Sequence, residues 1–321
     1  MALLTATRMT LIDLAKRSKD GSILAIAEVL NKVNAIMDDA VWVQSNGETQ
    51  HITAKRLSLP TGTWRKINTG VGLEKSTTQQ IVEGIGMLEA YSHVDTALVD
   101  VAADKAAFRL SEDLAFVEGM AQTLAYTIMY GSTSGAPEKF NGFATRYAHL
   151  TTLGTSAVHN VHNHASGSGG SSIWIVQWGV QSVHMIYPKN SATVGFSMSD
   201  DGVQTVSDSN GYFKVYQTHF KHQAGMCVRD DRCVQRVCNI AATTTSLSDK
   251  LIDALRQMPG GGTGAVIYAN TTVLSVLDKE AKDKTNVNYG PADAFGRPTM
   301  YFRGIPVKQV DSLLTTESVV T

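Results

Sequence analysis

The run LPTGTWRKINTGVGLEKSTTQQIVEGIGMLEAYSHVD, residues 59–95, holds β-branched and polar side chains but too few large apolar ones to build a core of its own. It continues a strand-like piece, VWVQS (41–45), and contains another, TWRKINTG (63–70). Both are interrupted by Asn46-Gly47, Pro60, Gly62, Gly70 and Gly72, residues that break ladders and favour turns. Connections inside compact domains typically run about 4–6 residues. An outstretched segment over 44–93 must therefore lean on something outside itself, and a neighbouring copy of the chain is the simplest support.

Within that segment KRLSLPTGTWRKIN interleaves Lys55, Arg56, Trp64, Arg65 and Lys66. Basic and aromatic residues mixed in this way can line a nucleic-acid groove. Here the surroundings are polar and neutral, and Arg and Trp are also residues that anchor protein interfaces. The interface reading is preferred, with Arg56, Trp64, Arg65, Lys66, Glu74 and Lys75 as contact candidates.

Downstream, Leu110, Leu114, Val117, Ala121, Leu124 and Ile128 recur in steps of four and three, which predicts one helix from Asp104 to Tyr130 with a single apolar face. At 1.5 Å per residue it is about 40 Å long. Gly119 in its middle implies a close packing partner, and Gly131 ends it. Upstream, Ile26, Leu30, Val33 and Met37 predict a helix over 22–38 with Ser22 as N-cap. The second half alternates strands and turns: SIWIVQWG, QSVHMIYP, YFKVYQTHF, RCVQRVCNI, GAVIYAN, TMYFRG and IPVKQVD. Two helices are set among them, one over 246–258 with Ser246 and Asp249 at capping-box spacing, the other capped by Asn270. The pattern is α+β.

Bulk properties exclude several classes. The 321 residues carry a net charge of −1, with 43% hydrophobic and 18% charged residues, so nothing draws the whole chain toward nucleic acid or an anionic membrane. No apolar run approaches the ~18 residues of a membrane span. The first residues, MALLTATRMTLIDLAKRSKDG, do not have the layout of a secretory signal. Cys227, Cys233 and Cys238 form an odd set that suits a reducing compartment and core packing.

Candidate chemistry is thin. His159, His162 and His164 have H-x-x-H-x-H spacing, and a metal-dependent hydrolase using them, with His219 or His222, is the enzymatic alternative. The flanking ASGSGGSS supplies mobility rather than support for ligands, so a solvated surface loop is preferred. MPGGGTGA (258–265) lacks the Gly-Lys-Ser/Thr of a phosphate loop and runs helix to strand. In VRDDRCVQRV, Asp230 and Asp231 would point to opposite faces of a strand and pair with the arginines around them. Arg229, Asp230, Asp231 and Arg232 thus join the inter-subunit contact candidates. No catalytic, cofactor or metal residues are assigned.

The order of elements resembles the major capsid proteins of tailed bacteriophages, which have the Hong Kong 97 type of coat fold. Residues 59–95 resemble that family's extended loop, and Lys105–Met129 its spine helix. FNGFATRY (140–147), SIWIVQWGVQSVHMIYPKNS, HFKHQAGMCVRDDRCVQRVCNI and FRGIPVKQVD resemble stretches of one capsid subfamily. The resemblance spans about residues 45–312. It implies an N-terminal arm (1–43), an extended loop (44–93), a peripheral domain (94–169), a mainly axial domain (170–290) and return strands (291–321). It further implies pentamers and hexamers closing an icosahedral shell around double-stranded DNA, made in the bacterial host cytoplasm and located in the virion. Scaffolding, portal and decoration proteins would be partners, and no membrane or cofactor is involved. Some relatives crosslink a loop Lys to a neighbour's Asn. Lys55, Lys66 and Lys75 lie in the loop, but no partner Asn or carboxylate is identifiable and no crosslink is assigned. A tail-tube protein is a further structural alternative.

Overall fold

The computed structural model describes residues 18–19, 22–23, 32–102, 104–151, 159–164, 170–189, 191, 193–209, 211–241, 246–282, 289–294 and 297–321. A short hairpin, β1 (Ser18–Lys19) and β2 (Ser22–Ile23), precedes the one-turn helix α1 (Ile36–Asp39) and β3 (Trp42–Gln44). A ribbon of β4 (Gln50–Ser58) and β5 (Thr77–Gly84) leads through β6 (Gly86–Asp95) to helices α2 (Thr96–Val101), α3 (Lys105–Tyr130) and α4 (Phe143–Arg146). Next come β7 (Val161–Asn163), β8 (Ser171–Val176), β9 (Val183–Tyr187), β10 (Phe196–Asp208), β11 (Gly211–Val228) and β12 (Val234–Ile240). The chain closes with α5 (Leu247–Gln257), β13 (Val266–Ala269), α6 (Thr271–Lys282), β14 (Tyr289–Ala294), β15 (Arg297–Phe302) and β16 (Ile305–Gln309).

Two sheets organise the mixed α+β body. One runs β14-β15-β16-β13-β8-β12-β7; the other runs β10-β11-β9-β3, with β6 also paired to the long strand β11. β8 is buried on both faces, as its unbroken Ile-Trp-Ile-Val run demands. Alternate side chains serve two cores. Ile173 and Ile175 pack with Leu251, Leu255, Val273 and Leu277 of α5 and α6, while Trp174 and Val176 pack with Ile128 and Met129 of α3 and Phe143 of α4.

Asp104 caps α3, accepting from the N–H groups of Ala106 and Ala107 at 3.1 and 3.0 Å. Gly131 is the C-cap of the helix, and a Cβ there would meet the Phe140 carbonyl oxygen at 2.4 Å. The single apolar face predicted for this helix is not what is buried. Its first half turns Phe108, Asp113 and Met120 inward, against β6 and β11, and leaves Leu110, Leu114 and Val117 exposed. Only from Leu124 onward does the predicted stripe enter the main core. The helix outruns that core, and its first half rests on its other side. Among the described residues nothing lies within 4 Å of a Cβ placed on Gly119, so the close packing partner expected there is not found among them.

Two further expectations change. Ser22 and Ile23 pair as a strand, and among the described residues of 22–38 helix is present at Ile36–Asp39; Ile26 and Leu30 lie outside the described residues. Val33 is held extended instead, its N–H donating to Asp311 Oδ2 at 2.9 Å and its carbonyl accepting from the Asp311 N–H at 2.8 Å. At Val33, bonds to the C-terminal segment take the place of helical ones. Ser246 does sit before α5, but with φ +60° and no side-chain capping bond. Glu280 of α6 does that work, accepting from the N–H groups of Leu247 (2.7 Å) and Ser248 (3.1 Å). Asn270 caps α6 as expected, through the Val273 N–H at 2.9 Å.

The C-terminal segment is tied in by a buried pair, Arg236 to Glu317 at 2.8 Å. Arg236 also donates to the Tyr147 carbonyl (2.8 Å) and Ser172 Oγ (3.0 Å), and it lies over the Trp174 ring. Tyr130 and Ser172 donate to the Glu317 carboxylate, so both of its oxygens have a partner. Removing one side of such a pair strands a buried charge. Glu317→Ala should therefore lower unfolding free energy by about 3–5 kcal/mol, measured by denaturant titration of the unassembled chain; a loss near zero would refute this role.

Candidate subunit interface

The β4–β5 ribbon is held only at its base. In the register His51 faces Glu83 and Thr53 faces Ile81; His51, Thr53 and Glu83 are buried, while the strands beyond them are largely exposed. Glu83 accepts both arms of the Arg146 guanidinium at 2.7 and 2.6 Å, and Arg146 also reaches the Met226 carbonyl at 3.1 Å. This planar two-bond fit is specific to arginine. Beside it, β11 passes so close that a Cβ on Gly225 would meet the Gly84 oxygen at 2.5 Å. Lys55 forms an ion pair with Asp231. β4 is roughly 27 Å long from Gln50 to Ser58, and about 10 Å of it extends beyond Lys55.

Its tip is a loop over 59–76 rather than the strand expected for TWRKINTG. A strand needs a paired ladder, and here the Thr69 N–H instead turns back to the Lys66 carbonyl (3.3 Å), with Asn68 in the left-handed region at φ +66°. Glu74 cinches the loop by accepting from the backbone N–H groups of Thr61 (2.7 Å) and Gly62 (3.0 Å). Those bonds, Gly62 foremost, hold its carboxyl below the usual range. Trp64 and Leu73 are fully exposed, and Ile67, Leu59 and Leu57 nearly as open. Arg56, Arg65, Lys66, Glu74 and Lys75 are exposed as well.

Residues 229–232 form a turn, not a strand. Asp230 accepts from the Arg232 N–H and guanidinium at 3.0 and 2.7 Å, and the guanidinium bond is the main reason its pKa falls. The expected pairing with a flanking arginine is therefore present for Asp230, whereas Asp231 turns to Lys55. Arg229 donates to the Val180 carbonyl at 3.3 Å. Lys55, Arg56, Arg229, Asp230, Asp231 and Arg232 share one hollow at the ribbon base. Trp64, Arg65, Lys66, Glu74 and Lys75 sit at the far end. The candidates thus divide into an anchor and a tip. Glu83 and Arg146, the strongest anchor, were missed, because 63 residues separate them and neither lies in a motif.

The histidines are not a solvated loop. His162 is buried on β7, bonded to Gln235 (3.0 Å) and met edge-on by His159 with centroids 4.2 Å apart. Burial, foremost, lowers its pKa. β7 pairs with β12, so these side chains are drawn into the seven-stranded sheet, whereas His219 and His222 sit on β11 of the other. The Pro259–Gly262 turn joins α5 to β13, as its order of elements predicted. Cys227, Cys233 and Cys238 are buried free thiols.

Residues 18–321 match the family model described as major capsid protein GP7. A chain of the structure of bacteriophage Epsilon15 is 33% identical, with a TM-score of 0.77 over 100% of this chain and 99% of that one. A chain of the bacteriophage JBD30 capsid shares the fold at 11% identity, with a TM-score of 0.50 over 97% and 96% of the two chains. No curated protein matches the sequence.

The anchor yields a test. Arg146→Ala should free the ribbon from the body at a cost of about 3–5 kcal/mol. Hydrogen exchange should rise across 50–58 and 77–84 while β8 and β12 stay protected. Unchanged exchange in the ribbon would show that the anchor lies elsewhere.

Proposed function

The chain belongs to the GP7 family of major capsid proteins, with the Hong Kong 97-like coat fold of a tailed-phage head, and on that footing we propose that its copies meet as pentamers and hexamers through the loop of residues 44–93. The observation that supports this is the contrast within one ribbon: an anchor fixed by Glu83–Arg146, and a tip whose Trp64, Ile67 and Leu73 touch water. Burying one such side chain on a neighbour contributes about 1.5–3 kcal/mol. A closed shell lets many modest contacts act together.

In this reading residues 94–169 with the spine helix α3 form the peripheral domain, 170–290 are mainly the axial domain, and the strands of 291–321 return to the peripheral domain. The 196–228 hairpin lies along the spine helix. Arg56, Trp64, Arg65, Lys66, Glu74 and Lys75 contact a neighbour directly, and the 229–232 turn contributes at the ribbon base. The exposed Leu110, Leu114 and Val117 stripe is a second face for a neighbouring copy. Synthesis in the host cytoplasm, a separate scaffolding protein, a portal, decoration proteins and non-specific contact with packaged DNA complete the reading. A chain of net charge −1 holds DNA weakly, since counterion release scales with basic contacts.

The double variant Trp64→Ala, Leu73→Ala tests the tip. The chain should keep its secondary structure and unfolding midpoint, because neither side chain packs within it. Shell yield by sedimentation and negative-stain microscopy should fall by roughly tenfold or more, the effect of a few kcal/mol per contact. Wild-type shells from this variant would remove the tip from the interface.

A further inference from the structure

Three strands bring metal-ligand atoms together at the ribbon base. His51 on β4, His184 on β9 and Cys227 on β11 place one donor atom each within 4.8 Å of the others, and all three side chains are buried. The two imidazoles meet edge to face with centroids 5.7 Å apart. The fold places Cys227 beside two histidines distant from it in sequence.

His184 is the informative member. It is 1% exposed, and neither ring nitrogen makes a hydrogen bond of good geometry among the described residues, a weak backbone interaction at Gly179 being all it has. A neutral imidazole carries one N–H and one lone pair, and buried groups of this kind are normally satisfied. Burial, with smaller contributions from His51 and Arg229 and against a backbone contact at Gly179, pushes its pKa down to about 4. His51 has one long contact, from the Asn46 N–H to Nδ1 at 3.3 Å, which a metal would readily replace. The Cys227 thiol is held protonated chiefly by burial, with Thr53 Oγ1 3.9 Å from its sulfur.

We propose that His51, His184 and Cys227 form a Zn²⁺ site that fastens the base of the loop ribbon to the five-stranded sheet. Two imidazoles and a thiolate suit zinc, whereas calcium and magnesium require oxygen donors. Tetrahedral bonds of about 2.0–2.3 Å put donors roughly 3.3–3.6 Å apart, so the side chains close by about 1 Å on binding. Binding releases the thiol proton to solvent as the Zn–S bond forms, and water takes the fourth position. Around the site Arg229 and Arg146 are balanced by Glu83 and the thiolate. β4 belongs to the ribbon, while β9 and β11 belong to the body, so the ion would set the angle at which the ribbon leaves.

Full-length protein is loaded with Zn²⁺ or Co²⁺, dialysed exhaustively, and examined by metal analysis and absorption spectroscopy. About one metal per chain is expected, with an intense near-ultraviolet thiolate-to-cobalt band. Cys227→Ser should abolish the band and His184→Ala should cut metal retention at least roughly tenfold, while His162→Ala leaves both intact. No retained metal in the wild type, or a band that survives Cys227→Ser, overturns the site. If the variants fail to fold, the wild-type spectrum decides alone: bound cobalt without a thiolate band also overturns it. Metal retention is read on the unassembled chain, so its failure would overturn this site and leave the coat-protein reading untouched.

Discussion

Six residues, Ser171–Val176, have no solvent-facing side, and the body is arranged around that fact. A strand buried on both faces needs a core above and another below. α3 and α4 cover Trp174 and Val176; α5 and α6 cover Ile173 and Ile175. The same strand lies beside the Arg236–Glu317 pair through Ser172, so the last residues of the chain are locked to its centre. Both cores meet at this strand, and the ribbon adds no residue to either of them.

That separation explains how so much chain can remain outstretched. The ribbon contributes almost nothing to either core, and the body does not depend on its tip. What the ribbon needs from the body is a rigid point of departure. Glu83–Arg146, the close pass of Gly225 and Gly84, and the Lys55–Asp231 pair all supply it at one end. A long arm fixed at its base delivers its tip to a defined place, which lowers the ordering cost of each contact made there.

Much of this was legible in sequence where local chemistry decides. The long helix, the doubly buried strand, the Asn270 cap and the coreless character of 44–93 follow from periodicity, capping and composition. The elements that were not legible depend on partners distant in the chain. Ser22 and Val33 read as helical because nothing nearby announces the bonds that Asp311 makes to Val33. Ser246 read as a cap because Glu280 lies 33 residues away from the N–H of Leu247. The histidines at 159–164 read as solvated because the glycines beside them dominate the composition, while β12 pulls His162 inside.

The misread face of α3 differs in kind from these. Leu110, Leu114 and Val117 have the spacing of a buried stripe, and in a lone chain they are exposed. Periodicity reports where apolar side chains are placed, not which molecule covers them. A monomer that leaves Trp64, Ile67 and Leu73 on one arm and this stripe on its longest helix exposes more ordered apolar surface than a solitary fold would keep. For a coat protein that excess is consistent with the fold: the apolar pattern is that of a finished shell, and one chain carries only its share of it.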